Sequence, residues 1–197
     1  MDQVPDRNII RFPGADRASG ALQIRVELVL MPTPVWRRLL VPGEYTFWDL
    51  HVALQDALGW RDKHLHQFTL DDPRTGERLR LGIPDESGFH GVNQVMAGWE
   101  FPLLDYLTRD APPALYTYDF GDDWQHEVVL EDTLSPYDPA SLPRCLAGEG
   151  ICPPEDCGGV VGWTEVAATL EPVERFDPAS VVFDNPRERW HRAFGRT

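Results

Sequence analysis

Three cysteines, Cys145, Cys152 and Cys157, fall within a short glycine- and proline-rich run, PRCLAGEGICPPEDCGG. Thiolates suit zinc, and a loop of this kind can fold around one ion. The Cys-x6-Cys-x4-Cys spacing departs from the Cys-x2-Cys pairs of common zinc knuckles. A tetrahedral site also needs a fourth ligand; His126, Asp156 and His191 are available, and His126 is the working choice. The plainer readings are free thiols packed in the interior, or a small Cys152–Cys157 disulfide.

Histidines supply the second set. In a strand, His64 and His66 share a side with Phe68 and Leu70, and His126 shares a side with Trp124, Val128 and Leu130. If both strands turn that side to one core, the imidazoles meet over a cleft, where they could hold a metal or act as acid and base near neutral pH. Against this stands the ordinary fate of such histidines, which is to bond a carbonyl or carboxylate and pack.

Carboxylates crowd the same segments. Asp119, Asp122 and Asp123 lie in one turn next to Trp124, with Glu127, Glu131 and Asp132 following; Glu149, Glu155 and Asp156 accompany the cysteines. Convergent carboxylates can seat magnesium or calcium. No D-x-D-x-D-G loop is present, and aspartates in a turn more often bond their own backbone. Cationic and aromatic residues interleave only at Arg187-Glu188-Arg189-Trp190-His191-Arg192, a weak footprint for phosphate and a better match to a solvent-facing helix with Trp190 and Phe194 inward.

The elements that must position these groups follow from periodicity. Leu22, Ile24, Val26, Leu28 and Leu30 alternate with Gln23, Arg25 and Glu27, as in a half-buried strand. Pro32 and Pro34 break it, and Val35 to Val41 forms a second. Thr46 and Asp49 resemble a capping box for a helix carrying Phe47, Leu50, Leu54, Ala57 and Leu58 up to Gly59. Strands follow at His64 to Leu70 and Glu77 to Leu81, then a hairpin from Leu115 to Glu131 around Gly121. Thr164 to Leu170 is a candidate helix, and Asp177-Pro178 and Asn185-Pro186 each pair a cap with proline at the first helical position. Met1 to Gly20 shows no hydrophobic period and reads as a mobile tail before a single domain over 21–197. The expected class is α+β: a mainly antiparallel sheet packed on one long helix, with a cysteine-containing loop and short C-terminal helices.

Composition narrows the function. The 197 residues carry 18 basic against 32 acidic side chains, a net charge of −14, which repels polyphosphate and disfavours direct nucleic-acid binding. The longest uncharged apolar stretch is too short for a bilayer, so no membrane partner is expected. With no signal-peptide pattern and an odd number of cysteines, the expected location is cytoplasmic.

Taken together, Pro34-Val35-Trp36-Arg37-Arg38, His64-Leu65-His66-x-Phe68, Tyr118-Asp119-Phe120-Gly121-Asp122-Asp123-Trp124-x-His126 and Cys152-Pro153-Pro154-Glu155-Asp156-Cys157-Gly158-Gly159 resemble the plasmid pRiA4b ORF-3-like family, in the family's order. The resemblance implies an α+β domain of bacteria and archaea, some relatives being passenger proteins of an insertion element. It implies no particular reaction. The expectation is a non-enzymatic accessory module that presents a surface to another protein, with zinc at Cys145, Cys152, Cys157 and His126 bracing the loop. The alternative is a metal-dependent hydrolase acting on nucleic acid through His64, His66 and His126, with Asp119, Asp122, Asp123 and Trp124 lining the cleft.

Overall fold

The computed structural model describes residues 20–84, 94–169 and 176–195. The tail expected over 1–20 lies outside these residues apart from Gly20, as does Leu170 at the end of the expected Thr164 helix. Among the described residues the chain forms β1 (Ala21–Leu28), β2 (Trp36–Pro42), α1 (Phe47–Leu58), β3 (His66–Asp71), β4 (Arg78–Gly82) and β5 (Met96–Ala97). There follow α2 (Leu103–Tyr106), β6 (Ala114–Tyr118), β7 (Trp124–Leu134), β8 (Arg144–Glu149), α3 (Gly159–Ala167) and α4 (Pro186–Phe194).

The eight strands make one sheet in the order β5-β4-β3-β6-β7-β1-β2-β8. Every neighbouring pair is antiparallel except β4 with β5. The period-two pattern of β1 holds, with Leu22, Ile24, Val26 and Leu28 buried and Gln23, Arg25 and Glu27 half-exposed. Where β1 pairs with β7, Gln23 lies opposite Asp132 and Ile24 opposite Leu130, so Glu131 is an extra residue in a bulge. Its carboxylate accepts from Gln23 Nε2 at 2.9 Å and takes two bonds from the Arg38 guanidinium.

Helix α1 starts as its cap requires. Thr46 accepts from the Asp49 N–H while Asp49 accepts from the Thr46 N–H, and Gly59 closes the helix in the left-handed region at φ 78°. Its C-terminal carbonyl at Ala57 accepts from Nε of Arg37, a side chain only 3% exposed. Arg37 also donates to the carbonyls of Trp36, Glu149 and Gly150, and Phe176 covers its guanidinium at 3.7 Å. A buried cation without a carboxylate is thus satisfied by carbonyl dipoles.

The mixed class and the mainly antiparallel sheet agree with the sequence; the single long helix does not. The longest described helix, α1, has 12 residues, α3 and α4 have 9 each, and α2 is one turn. Gly59 closes α1, and Gly195 closes α4. Helix α4 packs on α1 through Arg189, which contacts Asp56 at 2.5 Å, and through Trp190 edge-on to Trp48.

Candidate functional site

Three loops meet at the end of the sheet where β3 begins, β6 ends and β7 starts: residues 59–65, 119–123 and 150–158. Tyr118 ties them. Its hydroxyl donates to Glu155 at 2.5 Å and accepts from the backbone N–H groups of Lys63 and His64 at 2.9 and 3.4 Å. Burial, then the Glu155 bond, push its pKa well above the usual phenol, so it stays a donor. Trp60 stacks on Tyr118 with centroids 5.0 Å apart and donates through Nε1 to the Pro153 carbonyl at 2.7 Å.

The outer layer of this junction is charged. His64 Nε2 lies 2.7 Å from Asp156 and 3.4 Å from Asp119, and Lys63 Nζ lies 3.0 Å from Asp156. The Lys63 bond and then the His64 bond hold the Asp156 carboxyl below its ordinary range. Asp119, at φ 55°, uses Oδ1 to accept from the N–H groups of Gly121 and Asp122, the turn role aspartate ordinarily takes. Asp122 accepts from the Gly158 N–H at 3.1 Å, and Asp123 from Gln125 at 2.9 Å. At Gly159, φ is 67° and a Cβ would come 2.6 Å from the Asp122 carbonyl, so only glycine lets α3 start against this turn.

A second polar group lies deeper. His51 and Gln55 stand one turn apart on α1 and both reach the Tyr116 hydroxyl, at 2.9 and 3.0 Å. His51 Nε2 is 2.8 Å from Asp62, whose backbone N–H donates to Gln55 Oε1 at 2.9 Å, closing a ring of four residues. The carboxylate only accepts, so His51 carries its proton on Nε2 and takes the Tyr116 proton on Nδ1. His66 stacks on His51, centroids 3.5 Å apart and planes within 9°.

The structure separates the histidines that the sequence would gather. Strand β3 begins only at His66, because Tyr118 holds the Lys63 and His64 N–H groups in the preceding turn; His64 therefore stands at the partly exposed rim and His66 in the core. His126 is fully buried, bonded to the Tyr116 carbonyl at 3.2 Å and edge-on to Trp60; burial pulls its pKa to about 4. Trp124, expected to line a cleft, is 1% exposed and belongs to the core. His64, His66 and His126 therefore do not line one cleft.

The set Cys145, Cys152, Cys157 and His126 is likewise not assembled. Among the described residues, two groups place three ligand-type atoms within 4.8 Å of one another: His51 with Asp62 and His66, and His64 with Asp119 and Asp156. Neither contains a cysteine or His126. Cys145 sits on β8 opposite Leu39 of β2, and all three thiols are free. Burial raises each of their pKa values, which keeps them protonated and poor nucleophiles. The residues missed from sequence are His51, Gln55 and Asp62. The available signal was a histidine and a glutamine at i and i+4 inside the apolar stripe of α1.

An eight-stranded, mainly antiparallel sheet with its motif loops gathered at one end defines an α+β class. Within it, the family described as plasmid pRiA4b ORF-3-like protein matches residues 20–191, and the chain belongs to that family. The uncharacterized protein y4hQ of Sinorhizobium fredii is 33% identical over 152 residues, covering 77% of this chain and 74% of that relative. The crystal structure of the protein of unknown function MM3350 from Methanosarcina mazei Go1 is similar with a TM-score of 0.74 and 33% identity, covering 85% of this chain and 99% of that one. No described helix is long and apolar enough to cross a membrane.

Proposed function

We propose that this chain is a non-enzymatic accessory module that offers the rim of Lys63, His64, Asp119, Glu155 and Asp156 to another protein. The observation that carries the reading is the apolar pair beside those charges: Leu65 and Phe120 are each 55% exposed, and their segments are joined by the Asp119 N–H bonded to the Leu65 carbonyl at 3.0 Å. Large apolar side chains held outward on a tied turn, next to carboxylates, suit a partner segment that combines basic and apolar residues. The net charge of −14 favours such a partner over nucleic acid. We read the role as accessory to plasmid- or insertion-element-borne genes; the family's name supports the plasmid association.

The hydrolase alternative is the less favoured reading, because His66 and His126 are buried while His64 stands at the rim. The cysteine loop is held by bonds with Trp60, Tyr118, Lys63, His64 and Asp122.

The test is a photo-crosslinking residue at Phe120 compared with one at Leu134, which lies at the opposite end of β7, roughly 30 Å away at strand rise. In the native host, Phe120 should trap a discrete protein species that disappears with D119N and D156N combined. Equal trapping from Leu134, or none from Phe120, overturns the reading.

A further inference from the structure

We propose that His51, Asp62 and His66 form a binding site for a first-row divalent cation of the zinc class. One ligand atom from each lies within 4.8 Å of the others, and two imidazoles with one carboxylate are a donor set zinc accepts. This inference does not rest on the rim reading.

The independent observation is an orphaned atom. His66 is 3% exposed and its Nδ1 has no hydrogen-bond partner. Buried polar atoms are nearly always paired, and one that is not points to something that binds there. Neither neighbouring ring nitrogen can serve, because His51 uses both of its own on Tyr116 and Asp62.

The surroundings are those of a held ligand set. Gln55 fixes both the Tyr116 hydroxyl and the Asp62 backbone, and Tyr116 in turn orients the His51 ring. Asp62 is the one member with appreciable exposure, 16% of its side chain, and gives the cation its way in and a water its place as fourth ligand. On loading, the His51 proton moves from Nε2 to Nδ1, and the Tyr116 hydroxyl, which donates to Nδ1 in the unloaded ring, turns its own proton out of that bond and accepts there instead. The two stacked rings tilt so that a nitrogen of each faces Asp62. The rim group is the weaker host, because the Lys63 ammonium already sits 3.0 Å from Asp156.

The test is titration of the full chain, purified without a histidine tag, with Co2+ alone. We expect a single equivalent to bind, with visible ligand-field bands of a nitrogen–oxygen site and no thiolate charge-transfer band in the near ultraviolet. Asp62 occupies the left-handed region at φ 57°, which asparagine also tolerates, so D62N should retain the far-ultraviolet spectrum while weakening binding at least about tenfold. D156N and C157S should bind as the unmodified chain does. Absence of stoichiometric binding, a thiolate band, binding to D62N as tight as to the unmodified chain, or bands lost in D156N would each overturn the proposal.

Discussion

Tyr118 and Glu155, 37 residues apart, share a hydrogen bond of 2.5 Å that joins the strand end of the β6–β7 hairpin to the loop after β8. The same hydroxyl accepts the Lys63 and His64 N–H groups, so a single oxygen sets the spacing of three loops. Removing it in Y118F leaves those donors and the Glu155 carboxylate without their partner. We expect a loss of about 2 kcal/mol in urea unfolding and faster amide exchange at Lys63 and His64. Unchanged exchange at those two amides would contradict this role.

The Glu131–Arg38 pair should make stability depend on pH below the physiological range. Bonds from the Arg38 side chain, then from Gln23, outweigh the opposing effect of burial and depress the Glu131 pKa. A depressed carboxylate pKa means that the unfolded chain takes up the proton first, so the stabilisation is complete above the unfolded value and lost as pH falls through the folded one. E131Q should be less stable than the unmodified chain by about 1 kcal/mol at neutral pH, and the two should converge below about pH 4. Parallel stability curves across that range would refute the assignment.

His126 acts in a neighbouring window. Its folded pKa of about 4 lies below the usual imidazole value because burial penalises the charged ring. Protonation therefore favours the unfolded chain, and stability should drop by up to about 1.4 kcal/mol per pH unit between roughly pH 6.5 and pH 4. In H126L this part of the slope should vanish, as read by chemical denaturation at a series of pH values.

Gly159→Ala tests the seat of α3. The new Cβ would meet the Asp122 carbonyl, and the positive φ adds strain, so a loss of about 2 kcal/mol is expected. Asp156 should lose its contact with His64, which an upward shift of its carboxyl titration in NMR would reveal.

Much of this scaffold was legible in the chain itself. Thr46, Asp49 and Gly59 are local signals, and α1 forms between them; Asn185-Pro186 likewise opens α4. The alternation of β1 and the β6–β7 hairpin also needed no tertiary information. Strand β8 could not be read, because Arg144-Cys145-Leu146-Ala147-Gly148-Glu149 lacks alternation and owes its conformation to pairing with β2 across a bulge between Arg38 and Leu39. The site divides in the same way. The rim was traceable because His64, Asp119 and Asp156 belong to motifs, whereas the core group joins α1, a loop residue and β3, a meeting that only the packed sheet brings about. His64 and His66 look equivalent in sequence, yet one phenol oxygen ends the turn between them and sends them to different environments.

The central position of β1 in the sheet also bears on how the chain is made. Gln23 and Glu131, whose side chains bond between the two strands, are 108 residues apart. At about 5–20 residues per second, the ribosome leaves β1 without β7 for roughly 5–20 s after β1 emerges. Throughout that interval the nascent β1–β2 hairpin carries an open, apolar edge, and a chaperone that shields such edges would be the first cellular factor to govern the yield of folded protein.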